Sequence, residues 1–359
     1  MSIYAVLMAG GVGTRFWPRS REKLPKQVLN ILDDETMIQK TRKRLQGVVE
    51  NSHIKIVTTA QQQQLIQEQL PELNKDNYIL EPEGRNTAPC IGLAAIHLLY
   101  EDPEAMMVVL PADHLISNAA EFKRVIRLAT DFVSSHDGLV TLGINPSKPA
   151  TGYGYIQAGE VVSETDGHLI HKVKTFAEKP NYDTAKRFLE SGDFYWNSGI
   201  FIWKANTILK EIEEKLPEIH HGLNRLKEYL GSPEYPEKLK ETYQAFRNVS
   251  IDVGVMQLAE NVYVIPTDMG WSDVGSWETV YEISRKDKHN HAGEYQELVS
   301  LDAGNCYIYS PEKLVALVGV NDLVVVDTGD ALLICKKSEA QKVKETVEEL
   351  KKRGLKRWI

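Results

Sequence analysis

Tyr4-Ala5-Val6-Leu7-Met8-Ala9-Gly10-Gly11-Val12-Gly13-Thr14-Arg15, followed by Pro25-Lys26-Gln27, is the stretch that decides the fold. It begins as an apolar run of strand length and continues as a glycine-rich turn. Glycine has no Cβ and adopts positive φ at little cost, so backbone N–H groups in such a turn can approach an anion closely. Arg15 and Lys26 add the positive charge that a polyphosphate requires. The stretch therefore predicts a buried strand that runs into a loop binding the phosphates of a nucleotide.

Two better-known phosphate loops do not match this stretch. The dinucleotide fingerprint requires a third glycine where Phe16 stands, and the P-loop requires Gly-Lys-Ser/Thr, which occurs nowhere in the chain. An ordinary strand-to-helix turn would explain the glycines but not Arg15 and Lys26 together. We therefore interpret the turn as a phosphate-binding loop of another type.

Composition limits the class of protein. A chain of 359 residues is long for one domain, so we expect a large domain and a smaller one. The net charge is −8 and no lysine or arginine cluster dominates, which argues against nucleic-acid and membrane partners. The three cysteines have no metal-ligand spacing, and Cys90 lies in an apolar helical pattern typical of a buried small residue. Without a signal-peptide pattern or an apolar run of transmembrane length, the chain is predicted to be cytoplasmic.

The first 150 residues alternate between strand and helix patterns. Strands are predicted at Tyr4–Met8, Ile54–Thr58, Tyr78–Leu80, Met106–Leu110 and Leu139–Leu142, and helices at Gln61–Leu70, Thr87–Tyr100 and Glu121–Ser134. This alternation predicts a Rossmann-like α/β domain with a mixed, mainly parallel sheet and helices on both faces. Ligands of such sheets bind beyond the carboxyl ends of the strands, where the glycine turn and Asp113 both fall.

The pattern changes after residue 150 and again after residue 284. Shorter, partly antiparallel strands are predicted first, and the polar run Arg285–Glu294 is interpreted as a linker. Beyond it, short strands are predicted at Cys306–Tyr309, Val315–Val318, Leu323–Val326 and Leu332–Cys335, with an amphipathic helix over Ser338–Trp358. We therefore predict a catalytic domain at residues 1–285 and a small all-β domain with a terminal helix at residues 286–359.

Further motifs follow the glycine turn in a fixed order: Glu81-Pro82, Arg85-Asn86-Thr87-Ala88-Pro89, Pro111-Ala112-Asp113-His114, Gly152-Tyr153-Gly154-Tyr155-Ile156, Phe176-Ala177-Glu178-Lys179-Pro180, Trp196-Asn197-Ser198-Gly199 and Trp271-Ser272-Asp273-Val274-Gly275-Ser276-Trp277. Together they resemble the sugar-phosphate nucleotidylyltransferases, and most of all the mannose-1-phosphate guanylyltransferase branch. The resemblance covers about the first 285 residues. It implies a left-handed β-helix-like fold for the C-terminal unit, although no strict hexapeptide repeat is visible there.

The reaction that this resemblance implies makes particular demands on the protein. An oxygen of the sugar phosphate attacks the α-phosphorus of a nucleoside triphosphate, and pyrophosphate leaves. The nucleophile needs no general base, because the second pKa of a phosphate monoester is about 6. The protein must instead align two anions and neutralise charge in the transition state, which requires cations and a divalent ion. We expect Mg²⁺, which is held by few carboxylates and by substrate phosphates.

The resemblance also assigns roles to individual residues. It implies a two-aspartate magnesium site at Asp113 and Asp273, and it makes these two, with Arg15, Lys26 and Lys179, the catalytic residues. The predicted nucleotide-binding residues are Gly10, Gly11, Gly13, Thr14, Arg15, Lys26, Glu81, Arg85, Asn86, Thr87 and Asp113. The predicted sugar-phosphate-binding residues are Tyr153, Gly154, Glu178, Lys179, Asn197 and Ser198.

The substrates implied are GTP and mannose 1-phosphate, with GDP-mannose as product and a homodimer as the assembly. Glu81 is a candidate acceptor for the N–H groups of guanine, and the choice of guanine and mannose rests on the resemblance. Alternatives with the same chemistry are a heptose 1-phosphate guanylyltransferase and a glucose thymidylyltransferase. A non-catalytic regulator that binds nucleotide sugars is a further alternative, although it would have no need of all five catalytic residues.

Overall fold

The structure is a computed structural model that describes all 359 residues. The chain forms two compact units. Unit 1 comprises Met1–Gly10, Arg42–Ala112 and Ile116–Trp271, and unit 2 comprises Gly11–Thr41, Asp113–Leu115 and Ser272–Ile359. The glycine-rich loop and both predicted magnesium ligands therefore belong to unit 2.

The regular elements are numbered in chain order. The strands are β1 Ile3–Met8, β2 Ile54–Thr59, β3 Tyr78–Glu81, β4 Met106–Pro111, β5 Leu115–Ile116, β6 Leu139–Ile144, β7 Tyr155–Thr165, β8 His168–Ala177, β9 Phe194–Lys204, β10 Val262–Pro266, β11 Trp271–Ser272, β12 Ala292–Leu301, β13 Tyr307–Val318, β14 Leu323–Asp327 and β15 Leu332–Lys336. The helices are α1 Met37–Arg44, α2 Ala60–Gln69, α3 Thr87–Glu101, α4 Ala119–Ser135, α5 Tyr182–Ser191, α6 Ala205–Lys215, α7 Pro217–Lys227, α8 Tyr235–Ala245, α9 Trp277–Ile283 and α10 Val343–Lys352.

Unit 1 is built on a nine-stranded mixed sheet in the order β3-β2-β1-β4-β9-β6-β10-β8-β7. Strands β3, β2, β1 and β4 are parallel, as are β6 and β10, whereas β9 runs antiparallel between β4 and β6. Met8 lies opposite Pro111 in the register of β1 and β4. The chain therefore leaves both strands at the same edge of the sheet, as predicted for the glycine turn and for Asp113.

The predicted elements of the first 150 residues are confirmed to within one or two residues. β1 lies between β2 and β4 in the sheet. Its residues Ala5, Val6 and Leu7 are completely buried, which is the pattern of a strand covered on both faces. Helix α3 packs on α6 and α7, and α4 packs on β9 and β6. Asn86 caps α3 by accepting a hydrogen bond from the Thr87 N–H at 2.9 Å. Cys90 is buried within α3, and burial raises the pKa of its thiol well above the usual value.

The C-terminal part of unit 2 is a four-stranded sheet in the order β12-β13-β14-β15. β12 pairs with β13, and β13 with β14, in parallel, whereas β15 closes the sheet antiparallel to β14. The linker predicted at Arg285–Glu294 extends too far, because β12 already begins at Ala292. Most of β12 is exposed or half-buried, so its sequence lacks the apolar signal on which strand prediction depends.

Two other boundaries in this region differ from the prediction. Two separate strands are predicted at Cys306–Tyr309 and Val315–Val318, yet the structure has one continuous strand, β13, across Pro311-Glu312-Lys313. The register of β12 and β13 shifts between Tyr295 and Glu297, so the extra residues form an irregularity within the strand instead of a turn. The predicted helix Ser338–Trp358 is shorter, because only α10 is α-helical and short 3-10 turns flank it.

The core of unit 2 joins the glycine-rich loop to the C-terminal elements. Phe16 and Trp17 share one buried cluster with Trp277, Tyr307 and Val347. The Trp277 ring packs edge-on against Phe16, with centroids 5.0 Å apart, and stacks on Tyr307 at 5.3 Å. Residues from both ends of the sequence therefore build one core. No helix of the chain is both long enough and apolar enough to cross a membrane.

Candidate active site

The glycine-rich loop places Lys26. Gly13 has φ of 74°, in the left-handed region that favours glycine, and a Cβ at this position would overlap the Lys26 Cβ. The Lys26 N–H donates to the Val12 carbonyl at 3.0 Å, which closes the loop. Lys26 is only 4% exposed. The glycine at position 13 is therefore what allows the lysine stem to lie against the loop.

The Lys26 ammonium joins the two segments that carry the predicted magnesium ligands. Its Nζ lies 2.9 Å from Asp113 Oδ2 and donates to the Asp273 carbonyl at 2.8 Å. Burial alone would raise the pKa of Asp113, but the contact with Lys26, aided by the nearby His114, lowers it below its usual value. Asp113 is therefore ionised at neutral pH.

The loop that carries Asp273 is held in an unusual backbone conformation. Val274 has φ of 45°, which is rare for a β-branched residue, and its side chain is completely buried. Its N–H donates to Ser272 Oγ at 3.1 Å. A Cβ at Gly275 would stand 2.5 Å from Asp273 Oδ2, so only glycine leaves room for that carboxylate. Tertiary packing therefore maintains the strained backbone that orients Asp273.

These groups line a pocket of about 310 Å³ within unit 2. Its lining comprises Gly13, Thr14, Arg15, Phe16, Lys26, Asp113, His114, Asp273, Gly275 and Lys344. The pocket thus brings together four of the five predicted catalytic residues, although Arg15 and Asp273 are separated by most of the chain. Lys344, from α10, was not predicted. A lysine in a charged helical pattern has no sequence signal that distinguishes it from a solvated surface residue.

The pocket has a donor set that suits Mg²⁺. The chain has no group of three or more His, Cys, Asp or Glu side chains arranged to hold a metal. Asp113 and Asp273 line the same pocket, and the missing Cβ of Gly275 leaves space for the Asp273 carboxylate. Mg²⁺ is commonly held by one or two carboxylates together with water and substrate phosphates. The two aspartates therefore fit this ion, and they do not form a closed structural site.

The predicted sugar-phosphate residues lie in unit 1, and several of them meet around Gly154. A Cβ at Gly154 would stand 2.6 Å from Glu178 Oε2 and 3.3 Å from the Asn197 Cβ. The Asn197 N–H donates to the Gly154 carbonyl at 2.8 Å. Lys179 has φ of 47°, and its exposed ammonium pairs with the Glu178 carboxylate. The Glu178 carboxylate and the Asn197 side chain therefore lie beside the backbone of Gly154, and the Lys179 ammonium pairs with Glu178 at the edge of the cluster.

Asp252 completes this cluster and was not predicted. Its Oδ1 accepts a hydrogen bond from Asn197 Nδ2 at 2.7 Å, and Thr141 Oγ1 donates to Asn197 Oδ1 at 3.2 Å. Burial and the neighbouring Glu178 carboxylate raise the pKa of Asp252 to about 6. Asp252 lies in a short π-helix, Asp252–Met256, an element with no reliable sequence signature but frequent at functional sites.

Two predicted sugar-site residues have other surroundings. Ser198 is completely buried, and its Oγ accepts from the Ile200 N–H at 3.3 Å, so the structure does not bring it into this cluster. Consecutive residues of a strand point to opposite faces, which separates Ser198 from Asn197 on β9. The Tyr153 ring packs edge-on against Trp196, at 4.9 Å, and Trp271, at 5.5 Å.

The residues of β3 and of the start of α3 that are predicted to bind the nucleotide contact other protein groups. Glu81 is buried at the end of β3, where Oε1 accepts from Tyr243 Oη at 3.1 Å and Oε2 faces Gly10. Burial raises the pKa of Glu81 to about 7, although the bond from Tyr243 opposes this shift. Arg85 pairs with Glu83 at 2.6 Å. Thr87 Oγ1 accepts from the Ile251 N–H at 2.8 Å.

Comparison with known proteins places the chain in a family. The model of the nucleotidyl transferase family matches residues 4–290, and that of the mannose-phosphate isomerase/GMP-like β-helix domain matches residues 296–350. Mannose-1-phosphate guanylyltransferase 2 of Escherichia coli O157:H7 is 42% identical over 97% of this chain and 73% of its own length. Mannose-1-phosphate guanylyltransferase of Escherichia coli K12 is 40% identical over 98% of this chain and 74% of its own length.

A solved structure is similar over the whole chain. The crystal structure described as mannose-1-phosphate geranyltransferase from Thermus thermophilus has a TM-score of 0.86 and 32% identity, covering 98% of this chain and all of that one. The nucleotidyltransferase fold and the C-terminal β-helix-like domain are thereby confirmed. The chain belongs to the nucleotidyl transferase family, within its mannose-1-phosphate guanylyltransferase group.

Proposed function

We propose that this chain transfers GMP from GTP to mannose 1-phosphate. A phosphate oxygen of the sugar phosphate forms a bond to the α-phosphorus as the bond from that phosphorus to the β-phosphate oxygen breaks. The products are GDP-mannose and pyrophosphate, and no proton transfer is required for the attack. Both reactants are anions, so the catalyst must neutralise charge as it aligns them.

One observation carries this proposal: Lys26 Nζ contacts both the Asp113 carboxylate and the Asp273 carbonyl in one pocket. A buried ammonium beside an ionised carboxylate is held in place before any substrate arrives. Such a preorganised charge stabilises a transition state without reorganisation during the reaction. We assign Lys26 to the α-phosphate, where negative charge develops.

The glycine-rich loop supports binding of the rest of the triphosphate. Backbone N–H groups of Gly11, Gly13 and Thr14 supply donors, and Arg15 supplies a cation for the β- and γ-phosphates. Arg15 lines the pocket with no hydrogen-bond or ion-pair partner in the protein. Its guanidinium therefore does not have to leave another group in order to bind phosphate.

Asp113 and Asp273 would hold Mg²⁺. When bound, this ion supplies positive charge to the phosphate oxygens and helps to hold them in line. The protein's own contribution is to hold the two carboxylates in position. The Lys26 ammonium pairs with Asp113, and the absence of a Cβ at Gly275 leaves room for the Asp273 carboxylate.

The cluster around Gly154 in unit 1 supports binding of the sugar phosphate. The Glu178 carboxylate and the Asn197 amide offer the acceptors and donors that sugar hydroxyls require. Asp252 and Thr141 fix which end of the Asn197 amide is the donor. Lys179, exposed at the edge of the cluster, supplies the cation for the phosphate.

Glu81 is the proposed acceptor for guanine. Its Oε2 faces Gly10, and a Cβ at position 10 would stand 3.2 Å from that oxygen, so the carboxylate lies directly beside the glycine-rich loop. Arg85, Asn86 and Thr87 engage other protein groups, so we assign them to shaping the loop between β3 and α3. We place Glu81 as the residue that selects guanine.

The test is turnover of the purified chain with GTP, ATP, UTP and dTTP, each combined with mannose, glucose and heptose 1-phosphates. Pyrophosphate release should be fastest with GTP and mannose 1-phosphate, should stop on addition of EDTA and should resume with Mg²⁺. A preference for dTTP or UTP would support a thymidylyl- or uridylyl-transferring enzyme. Binding of GDP-mannose without any turnover would support the regulatory alternative.

The assembly and location are proposed on the same basis. We propose a cytoplasmic homodimer whose ligands are GTP and mannose 1-phosphate, with neither nucleic acid nor membrane as a partner. The net charge of −8 argues against nucleic acid and anionic membranes as partners, whereas the homodimer and the location rest on the family resemblance. Sedimentation equilibrium on the purified chain measures the oligomeric state directly.

A further inference from the structure

We propose that Lys344, in the C-terminal helix α10, is a polyphosphate-binding residue that contacts the β- and γ-phosphates of the nucleotide, the part that leaves as pyrophosphate. This inference rests on the proposed function, since it assumes that the pocket of unit 2 receives a triphosphate. It extends that function by giving the C-terminal helix a direct part in substrate binding.

The position of Lys344 favours a ligand contact. It lines the same pocket as Arg15, Lys26, Asp113 and Asp273. Lys344 has no hydrogen-bond or ion-pair partner in the protein. Three basic neighbours on the same segment are paired: Lys342 with Glu339, Lys351 with Glu22 and Arg353 with Glu349. Lys352 forms no salt bridge either, and Lys344 differs from it in lining the pocket.

The backbone of α10 is fixed against the glycine-rich loop. Val343 and Val347 are buried in the core that contains Phe16 and Trp17. Trp17 Nε1 donates to the Trp358 carbonyl at 2.7 Å, and Glu22 pairs with Lys351 at 3.2 Å. The Cα of Lys344 is thus held by packing on its neighbour Val343, and only its flexible side chain has to adjust to a ligand.

The balance of charges in the pocket also favours a further cation. Asp113 and Asp273 contribute two negative charges, and Lys26 is already engaged with both of their segments. A triphosphate adds several more negative charges, for which Arg15 alone would be a poor match. A lysine in the first turn of a helix gains nothing from the helix dipole, which favours anions there. The helix dipole therefore does not favour a lysine at position 344, whereas a polyphosphate in the pocket would.

The experiment measures equilibrium binding of GTP and of inorganic tripolyphosphate to four forms of the full chain. These are the native chain, Lys344→Met, Lys344→Arg and the control Lys352→Met, which removes an exposed lysine of the same helix outside the pocket lining. Loss of one charge-assisted contact should weaken both ligands about tenfold in Lys344→Met. Lys344→Arg should retain most of the affinity, and Lys352→Met should match the native chain.

A steady-state measurement separates binding from a structural effect. Lys344→Met should raise KM for GTP, and KM for pyrophosphate in the reverse reaction, with KM for mannose 1-phosphate unchanged. Native affinity for GTP and tripolyphosphate in Lys344→Met overturns the inference and leaves the proposed function intact. An equal rise of KM for both substrates also overturns it, because that pattern indicates general disruption. If the native chain itself binds no nucleoside triphosphate, the proposed function fails first.

Discussion

The pocket in unit 2 and the cluster around Gly154 in unit 1 both contain a buried or half-buried aspartate, yet the pKa values of the two aspartates shift in opposite directions. Asp113 contacts the Lys26 ammonium at 2.9 Å, and its pKa is lowered despite burial. Asp252 faces the Glu178 carboxylate, and its pKa is raised to about 6. Burial raises the pKa of both carboxyl groups, so the charge of the neighbouring side chain decides whether the pKa is finally lowered or raised. A site for phosphates and metal needs permanent charge, whereas a site for hydroxyl groups needs hydrogen-bond acceptors.

The cations of the two regions differ in the same way. Arg15 and Lys344 line the pocket of unit 2 without partners, whereas Lys179 pairs with Glu178. The pocket therefore has free positive charge for a polyphosphate. The cluster in unit 1 has one cation already balanced by a carboxylate, which suits a ligand with a single phosphate and several hydroxyl groups.

Asp113→Asn should have the largest effect on activity and tests the role of a charged aspartate in the pocket of unit 2. The amide still accepts a hydrogen bond from Lys26 but carries no charge, so turnover should fall about a thousandfold as the transition state loses its electrostatic support. Thermal unfolding should show that the fold persists. The matched control is Asp131→Asn, on the exposed side of α4. Magnesium-dependent turnover near the native rate in Asp113→Asn would remove Asp113 from the site.

Lys26→Met should have the next largest effect. Methionine keeps most of the apolar stem that lies against Gly13 and loses the ammonium. If the charge acts on the α-phosphate in the transition state, kcat should fall about a hundredfold, more than the affinity for GTP falls. Lys23→Met, three residues earlier and exposed, is the control. An equal loss in affinity and in kcat would assign Lys26 to ground-state binding.

Asp252→Asn tests the raised pKa of the aspartate in unit 1 through the pH dependence of stability. Folding raises the pKa of Asp252 from 3.8 to about 6, so the folded protein binds this proton more tightly than the unfolded chain does. The resulting stability is complete below the unfolded pKa of 3.8 and is lost as the pH rises through about 6. Asp252→Asn removes this titration. Between about pH 4 and about pH 7, the free energy of unfolding of the native chain should therefore fall by about 2 kcal/mol relative to that of the variant. Parallel pH profiles for the two proteins, measured by urea unfolding, would show that Asp252 is not buried as described.

Lys179→Ala should have the smallest effect. The ammonium is exposed and already paired, so its loss should raise KM for mannose 1-phosphate about tenfold with little change in kcat. Lys186→Ala, on the exposed face of α5, is the control. An unchanged KM for mannose 1-phosphate would exclude Lys179 from the phosphate of the sugar.

Sequence reasoning was most successful where the signal is local. β1 and the turn after it are visible as a buried apolar run followed by glycines, and Asp113 follows β4 directly. β12 was missed because its side chains are largely exposed, and β13 was divided because its irregularity resembles a turn. Asp252 and Lys344 were missed because neither lies in a motif. The surroundings of each are formed by residues that are distant in sequence.

The sequence by itself determined the strands and helices predicted in the first 150 residues, the glycine turn after β1 and the residues of the motifs, because these depend on patterns within a few positions. Tertiary structure alone decided that the glycine turn shares a core with the C-terminal helix. It alone also decided that the pKa of Asp113 is lowered and that of Asp252 is raised. Burial and the nearest charged group set a pKa, and both are properties of three-dimensional packing that no run of neighbouring residues contains.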